Sequence, residues 1–281
     1  MAAAAPVILL TGGTGFVGRQ VLDELIRRGH RVRLIVRDGK QDRVARAGNI
    51  ENVVVTADAW RESVDWWAEA CRGVDIAIHA AWYVEPGRYL QSPANRDCFS
   101  GTLRLAEGAI RSKIRRFAGI GTCFEYDLAL GDLSVRTALR PATPYAQAKA
   151  DAFQAISPLL PAQGIEFVWC RLFYLYGAGE DRRRLVPYLR AKLAAGEPAE
   201  LSSGTQVRDY LDVRDAGRMI VEVALGGAQG PVNVCSGRAI TVRQLAERIA
   251  DEYGRRDLLR FGARTENLTD PPYVVGVPAA R

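Results

Sequence analysis

Val7-Ile8-Leu9-Leu10-Thr11-Gly12-Gly13-Thr14-Gly15-Phe16-Val17-Gly18 is the stretch on which the fold turns. An apolar, β-type run passes directly into glycines at positions 12, 15 and 18 and then into the helical pattern Phe16–Arg28. Gly12 permits a tight turn, Gly15 lets backbone approach a pyrophosphate at the helix N-terminus, and Gly18 lets the helix pack closely on the strand. That geometry suits a dinucleotide. Three spaced glycines are weak evidence in a chain with 27 of them; the strand before and the helix after give them weight.

Outward from this loop, β-type runs at Arg31–Val36, Val53–Thr56, Asp75–His79, Phe117–Gly121 and Glu166–Arg171 alternate with helical stretches at Val64–Cys71, Asn95–Arg111 and Pro144–Ile156. The rhythm is that of an α/β, doubly wound parallel sheet of the Rossmann type. After Arg171 come a Gly- and Arg-rich segment, a helix near Leu185–Ala195, the run Ser202–Asp215, a further helix and a short strand at Val232–Cys235. We therefore expect residues 1–171 to form the dinucleotide-binding domain with the reacting groups. Residues 172–281 should form a smaller, mainly substrate-binding region that leans on it as one wall of a cleft.

Composition narrows the function classes. With 48% hydrophobic and 25% charged residues among 281, a sizeable core is available. The apolar run Ala2 to Leu10 is too short to span a bilayer and lacks a basic flank, so no membrane association and a cytoplasmic location are expected. Five scattered cysteines and two histidines favour neither a disulfide framework nor a metal site. The net charge of +6 comes with no run of four basic residues, which argues against nucleic acid and for an acidic small-molecule ligand.

The second β-type run ends in Val36 and is followed by Arg37. An acidic residue at that place takes the ribose of NAD, whereas an arginine accommodates the 2′-phosphate of NADP; Arg37 favours NADP(H), with NAD(H) the alternative through Asp38. Asp58, after the third run, is either an acceptor for the adenine amino group or a strand-end cap. In Thr143-Pro144-Tyr145-Ala146-Gln147-Ala148-Lys149, Thr143 caps a helix that Pro144 begins, and Tyr145 and Lys149 share a face one turn apart. An ammonium beside a phenol favours the phenolate, so the spacing predicts a lowered Tyr145 pKa and a usable acid or base.

Taken together, the Thr-Gly-Gly-Thr-Gly-Phe-Val-Gly loop, His79-Ala80-Ala81, Tyr145-x-x-x-Lys149 and Arg208-Asp209-Tyr210 resemble the extended short-chain dehydrogenase/reductase family. The likeness is greatest to its nucleotide-sugar epimerases, dehydratases and 4-ketoreductases, and runs from Val7 to about Phe261. It implies that cofactor lies against Gly12, Gly15, Phe16, Val17, Gly18 and the Ala80 backbone, and against Tyr145 and Lys149, while His79 is a packed core residue. Thr122, four residues before Tyr126, is implied as the hydroxyl that bonds the reacting oxygen beside Tyr145. Arg208 and Arg184 are implied as substrate contacts, against the alternatives of a surface pair Arg208–Asp209 and a solvated Arg184.

The chain departs from the family at three places. Tyr174 stands where many members carry Asn, Cys123-Phe124 replaces the Asp-Glu pair of dehydratases, and Arg281 ends the sequence where relatives continue into a last helix. The resemblance thus implies NADPH-dependent reduction of a nucleotide-activated 4-keto-deoxysugar. The alternatives are an NAD-dependent 4-epimerase and a non-catalytic dinucleotide sensor or RNA-binding relative. A homodimer through the helices Asn95–Arg111 and Pro144–Ile156 is also implied.

Overall fold

The computed structural model describes residues 5–44, 48–267 and 270–278. Its first half alternates as the hydrophobic pattern requires: β1 (Val7–Thr11), α1 (Phe16–Arg27), β2 (Arg31–Arg37), β3 (Ile50–Thr56), α2 (Val64–Ala70), β4 (Ile76–His79), α3 (Ala94–Arg111), β5 (Arg116–Thr122), the short β6 (Asp132–Leu133), α4 (Pro144–Ala162) and β7 (Glu166–Leu172). There follow β8 (Tyr174–Tyr176), α5 (Leu185–Ala194), β9 (Ala199–Leu201), β10 (Val207–Asp212), α6 (Val213–Leu225), β11 (Gly230–Val234), β12 (Ala239–Thr241), α7 (Val242–Asp251), β13 (Leu259–Phe261) and β14 (Tyr273–Gly276).

Seven strands form a parallel sheet in the order β11-β7-β5-β4-β1-β2-β3. Side chains of a strand alternate between faces, and a parallel sheet buries both. Ile8 and Leu10 accordingly pack with Val21, Leu25 and Ile220 under α1 and α6, while Val7 and Leu9 pack with Trp67, Leu105 and Ile156 under α2, α3 and α4. The order reverses between β1 and β4, so the loops after these strands face one crevice at the carboxyl edge, where such folds bind ligands.

Two differences from the sequence reading have physical reasons. The helical stretch read to Ile156 continues as α4 through Pro158 to Ala162, because Ile156 and Leu160, one turn apart, are both fully buried in the core. After Leu172 the chain also returns to the large sheet: α6 packs on α1 and β11 adds an edge strand beside β7, so that sheet draws on both sides of residue 171. The run Ser202–Asp215 resolves into β10 and the start of α6. β10 lies between β12 and β14 and also pairs β8, and with β6 these strands make a second sheet. α5 and α7 close a separate apolar cluster around Leu189, Leu193, Leu245 and Ile249.

Helix contacts on both faces are set by glycines. A Cβ on Gly108 would lie 2.5 Å from Cβ of Trp67, and one on Gly217 would lie 2.7 Å from Cβ and 2.9 Å from the carbonyl carbon of Gln20. Because α6 can rest on α1 only at this distance, Gly217→Ala should lower stability by about 1–3 kcal/mol in urea unfolding. Gly227→Ala, where a Cβ meets nothing within 4 Å, should stay within about 0.5 kcal/mol of the parent.

Candidate active site

The glycine loop closes on the end of β4. Gly12 has φ +76°, and a Cβ there would stand 2.6 Å from the Ala81 nitrogen; one on Gly18 would stand 2.1 Å from the Gly12 carbonyl oxygen. Gly15, the exposed N-cap of α1, offers no side-chain cap, and no acidic residue occupies the first turn. The helix therefore presents unshared N–H groups and the positive end of its dipole, which fits a pyrophosphate.

His79 braces this edge from behind. Thr102 Oγ1 donates to the Cys98 carbonyl (2.8 Å), so His79 Nε2 donates to Thr102 (2.9 Å) and Nδ1 accepts from Thr11 Oγ1 (2.8 Å), which in turn accepts from the Ala81 N–H (3.2 Å). Burial, with Lys149 as a second cause, lowers the imidazole pKa to about 3, so the ring is neutral and holds β1, β4 and α3 together.

Thr122 ends β5, and Tyr145 and Lys149 project from the first turns of α4, whose N-terminus Thr143 caps by accepting from the Ala146 N–H (3.2 Å). The three come together at the end of β5: the Thr122 hydroxyl is near enough to the Tyr145 phenol to pull its pKa down, and Lys149 Nζ donates to the Ile120 carbonyl (2.5 Å) and lies 3.7 Å from the Trp82 ring centroid. The expected lowering of the phenol pKa is corrected. Burial and the neighbouring Tyr89 push Tyr145 well above the usual phenol range, against the pull of Thr122, and Lys149 is turned to Ile120 and Trp82 instead. Burial lowers Lys149 itself to about 7, with Glu125 and Cys98 acting in the other direction.

Arg37 closes β2 with an exposed side chain that has no hydrogen-bond or ion-pair partner among the described residues. Asp38 is committed to its own turn, accepting from the Gly39 N–H (2.9 Å) and Gln41 Nε2 (3.1 Å). Asp58 accepts from the Trp60 N–H (3.0 Å) and lies 3.4 Å from Arg61 Nε, the geometry of a local cap.

The opposite wall carries the two arginines. Arg208 is no surface partner of Asp209: both are buried, Arg208 bonds Asp270 (2.6 Å), and Asp209 accepts from Ser236, Gly237 and the Gly276 N–H. A carboxylate with that many buried donors organises the loops around it. The Arg208 guanidinium stands 5.1 Å from the Tyr174 ring centroid, and the Tyr174 hydroxyl is buried with no partner. Arg184 is half-exposed at the start of α5, bonded to Glu180 (3.0 Å), and close enough to Tyr89 and Tyr210 to lower their pKa values against burial.

Residues 8–235 match the family described as NAD dependent epimerase/dehydratase. The chain belongs to that family. Among curated relatives, this family member is 30% identical over 264 residues to dTDP-6-deoxy-L-talose 4-dehydrogenase (NAD(P)(+)) of Kitasatospora kifunensis, covering 88% of this chain and 79% of that one. It is 25% identical over 252 residues to dTDP-6-deoxy-L-talose 4-dehydrogenase (NAD(+)) of Aggregatibacter actinomycetemcomitans, covering 88% and 90%. Its fold is similar to that of Thermus thermophilus UDP-glucose 4-epimerase in complex with NAD, with a TM-score of 0.81, 21% identity and coverage of 97% and 90%. An enzyme using a nicotinamide dinucleotide is the class this family defines, and among the described residues no helix is long and apolar enough to cross a membrane.

Sequence reasoning passed over three residues of this family member's site. Trp82 and Tyr89 stand edge-on to Tyr145, at centroid distances of 6.4 and 4.8 Å, from a segment with no periodicity to mark it. Glu125 did leave a signal: Thr122-x-x-Glu125 is a capping box, and its carboxylate is wholly buried behind Thr122.

The neutral His79 links pH to stability with a definite sign. Its folded pKa of about 3 lies below the unfolded 6.5, so the unfolded chain binds the proton first. The contribution is complete above pH 6.5 and is lost as pH falls toward 3. In urea unfolding, His79→Asn should be less stable than the parent at pH 7.5 and should lose less further stability between pH 6.5 and 4.

Proposed function

We propose that this protein reduces the ketone of a nucleotide-activated 4-keto-deoxysugar with NADPH. The observation that carries the reading is the Tyr145 phenol, held protonated by burial beside the Thr122 hydroxyl at the edge where the glycine loop opens. A phenol kept in its acid form suits a proton donor, which is what ketone reduction needs.

When bound, the nicotinamide supplies the hydride for the carbonyl carbon. Tyr145 gives its proton to the carbonyl oxygen, and Thr122 hydrogen-bonds that oxygen as charge develops on it. Lys149, released from Trp82, is placed to bond the nicotinamide ribose and to return a proton to Tyr145. Gly12, Gly15, Phe16, Val17, Gly18 and the Ala80 backbone cradle the pyrophosphate side of the cofactor. Arg37, exposed at the end of β2 and without a side-chain partner among the described residues, supports a 2′-phosphate there. Arg208, with Tyr174 beside it, and Arg184 at the rim supply cations and a free hydroxyl for the substrate's diphosphate and sugar. Two relatives named as 4-dehydrogenases of a dTDP-6-deoxyhexose fit the same chemistry run in reverse. We also propose a homodimer through α3 and α4, for which gel filtration should give twice the mass of 30.8 kDa.

The test is NADPH oxidation at 340 nm with a panel of 4-keto-deoxysugar nucleotides. Turnover is expected, and Tyr145→Phe should lower it by at least about a thousandfold while NADPH affinity stays within a few-fold. Interconversion of 4-epimers with NAD and no oxidation of NADPH would instead make the protein an epimerase; no turnover with either would leave a dinucleotide sensor. Arg37→Ala should weaken NADP+ binding by roughly ten- to a hundredfold and leave NAD+ binding nearly unchanged. Equal losses for the two would remove Arg37 from the 2′-phosphate.

A further inference from the structure

Behind Thr122 lies a buried charge pair. Glu125 and Arg171 are 0% and 1% exposed, and Glu125 Oε2 accepts from Arg171 Nε at 2.7 Å. The other donors around the carboxylate are the Thr122 N–H (2.8 Å) and Trp169 Nε1 (3.0 and 3.2 Å). Arg171 lies between the rings of Tyr126 and Phe153 and donates to the Tyr126 hydroxyl (3.1 Å), which donates to Asn233 (2.7 Å). Room for this arrangement is made by Gly121 of β5, where a Cβ would stand 2.4 Å from Glu125 Oε1 and 2.2 Å from Trp169 Nε1.

A buried ion pair seldom stabilises a fold more than apolar residues of the same volume would. What this one does is local. Lys149 Nζ holds the Ile120 carbonyl and Glu125 holds the Thr122 N–H, so the last turn of β5 is fixed from both sides. Trp169 bridges them, its Nε1 on Glu125 and its ring 5.9 Å from Lys149 Nζ.

We infer that Glu125, braced by Arg171, is a positioning residue that aims the Thr122 hydroxyl and keeps Lys149 charged. The groups facing Lys149 are Glu125 from the turn after β5, Cys98 from α3, His79 from β4 and Tyr145 on its own helix, and Glu125 is the one carboxyl among them. Its charge opposes the desolvation that brings Lys149 down to about 7. Three donors converge on the two oxygens, and an amide has one acceptor oxygen, so Gln cannot replace Glu here without facing NH2 to a donor.

The role in turnover rests on the reductase reading, but the charge effect can be read without substrate. The chain has only four lysines, Lys40, Lys113, Lys149 and Lys192, so 13Cε-lysine NMR of the full, ligand-free protein resolves the Lys149 titration. Glu125→Gln should lower that midpoint by about one pH unit or more. It should also cut kcat on the order of ten- to a hundredfold while NADPH affinity changes less than about threefold. If the single variant does not fold, the double variant E125Q/R171M removes the unpaired cation: its Gln oxygen can face Thr122, so kcat should stay within about tenfold of the parent while the Lys149 midpoint is still lowered. A midpoint within about 0.3 pH unit of the parent in the folded variants, with only the melting temperature moved, would overturn the proposal. Absence of NADPH turnover in the parent would instead sink the reductase reading and leave the titration to decide this one.

Discussion

Among the described residues, the buried guanidinium groups of Arg116, Arg171 and Arg208 each meet a carboxylate, though Arg116 Nε and Arg171 Nη2 keep no partner, and the layout of the crevice follows from these pairs. An isolated ion in a low-dielectric core costs several kcal/mol or more, which no single contact returns. Arg116, wholly buried at the start of β5, is met by Glu166 (2.9 Å) and by the carbonyls of Val223 (3.0 Å) and Ala228. Arg171 is met by Glu125 and Tyr126, and Arg208 by Asp270. The first two pairs tie strands of the large sheet, and the third ties β10 of the second sheet, to segments distant in sequence. The first two lie at opposite ends of β5 and its neighbour β7, so the strand that delivers Thr122 is held at both ends.

The same constraint explains why the reacting groups are so well hidden. Tyr145 is 9% and Lys149 3% exposed, beneath Trp82 and Tyr89. Removing water raises the phenol pKa and lowers that of the amine, so both groups tend toward their neutral forms, and only a nearby fixed charge or a bound partner can reverse that.

Much of the molecule was legible before any coordinates. The strand, glycine loop and helix from Val7 to Arg27, and the alternation that follows, depend on short-range rules of turn geometry and period that a linear chain displays openly. Tyr145 and Lys149 are likewise neighbours by helical spacing alone. Less legible were the segments after Leu172. The strands β8, β9, β12, β13 and β14 are three or four residues long, too short for a period to show, and are defined by partners far away in sequence. The helix α7 was passed over despite a complete capping box at Thr241 and Gln244 and apolar residues at 245, 246, 249 and 250.

The sequence by itself determined that a glycine turn opens a parallel α/β sheet and that Tyr145 and Lys149 share one face of a helix, because those features are fixed by spacing and by the steric freedom of glycine; Thr122 came only from the likeness to a family. Tertiary structure alone decided the sign of the Tyr145 shift, the partner of Arg208 and the place of Glu125. A pKa or an ion pair depends on how much water has been removed and on which distant group replaces it, and neither quantity is written in the order of the residues.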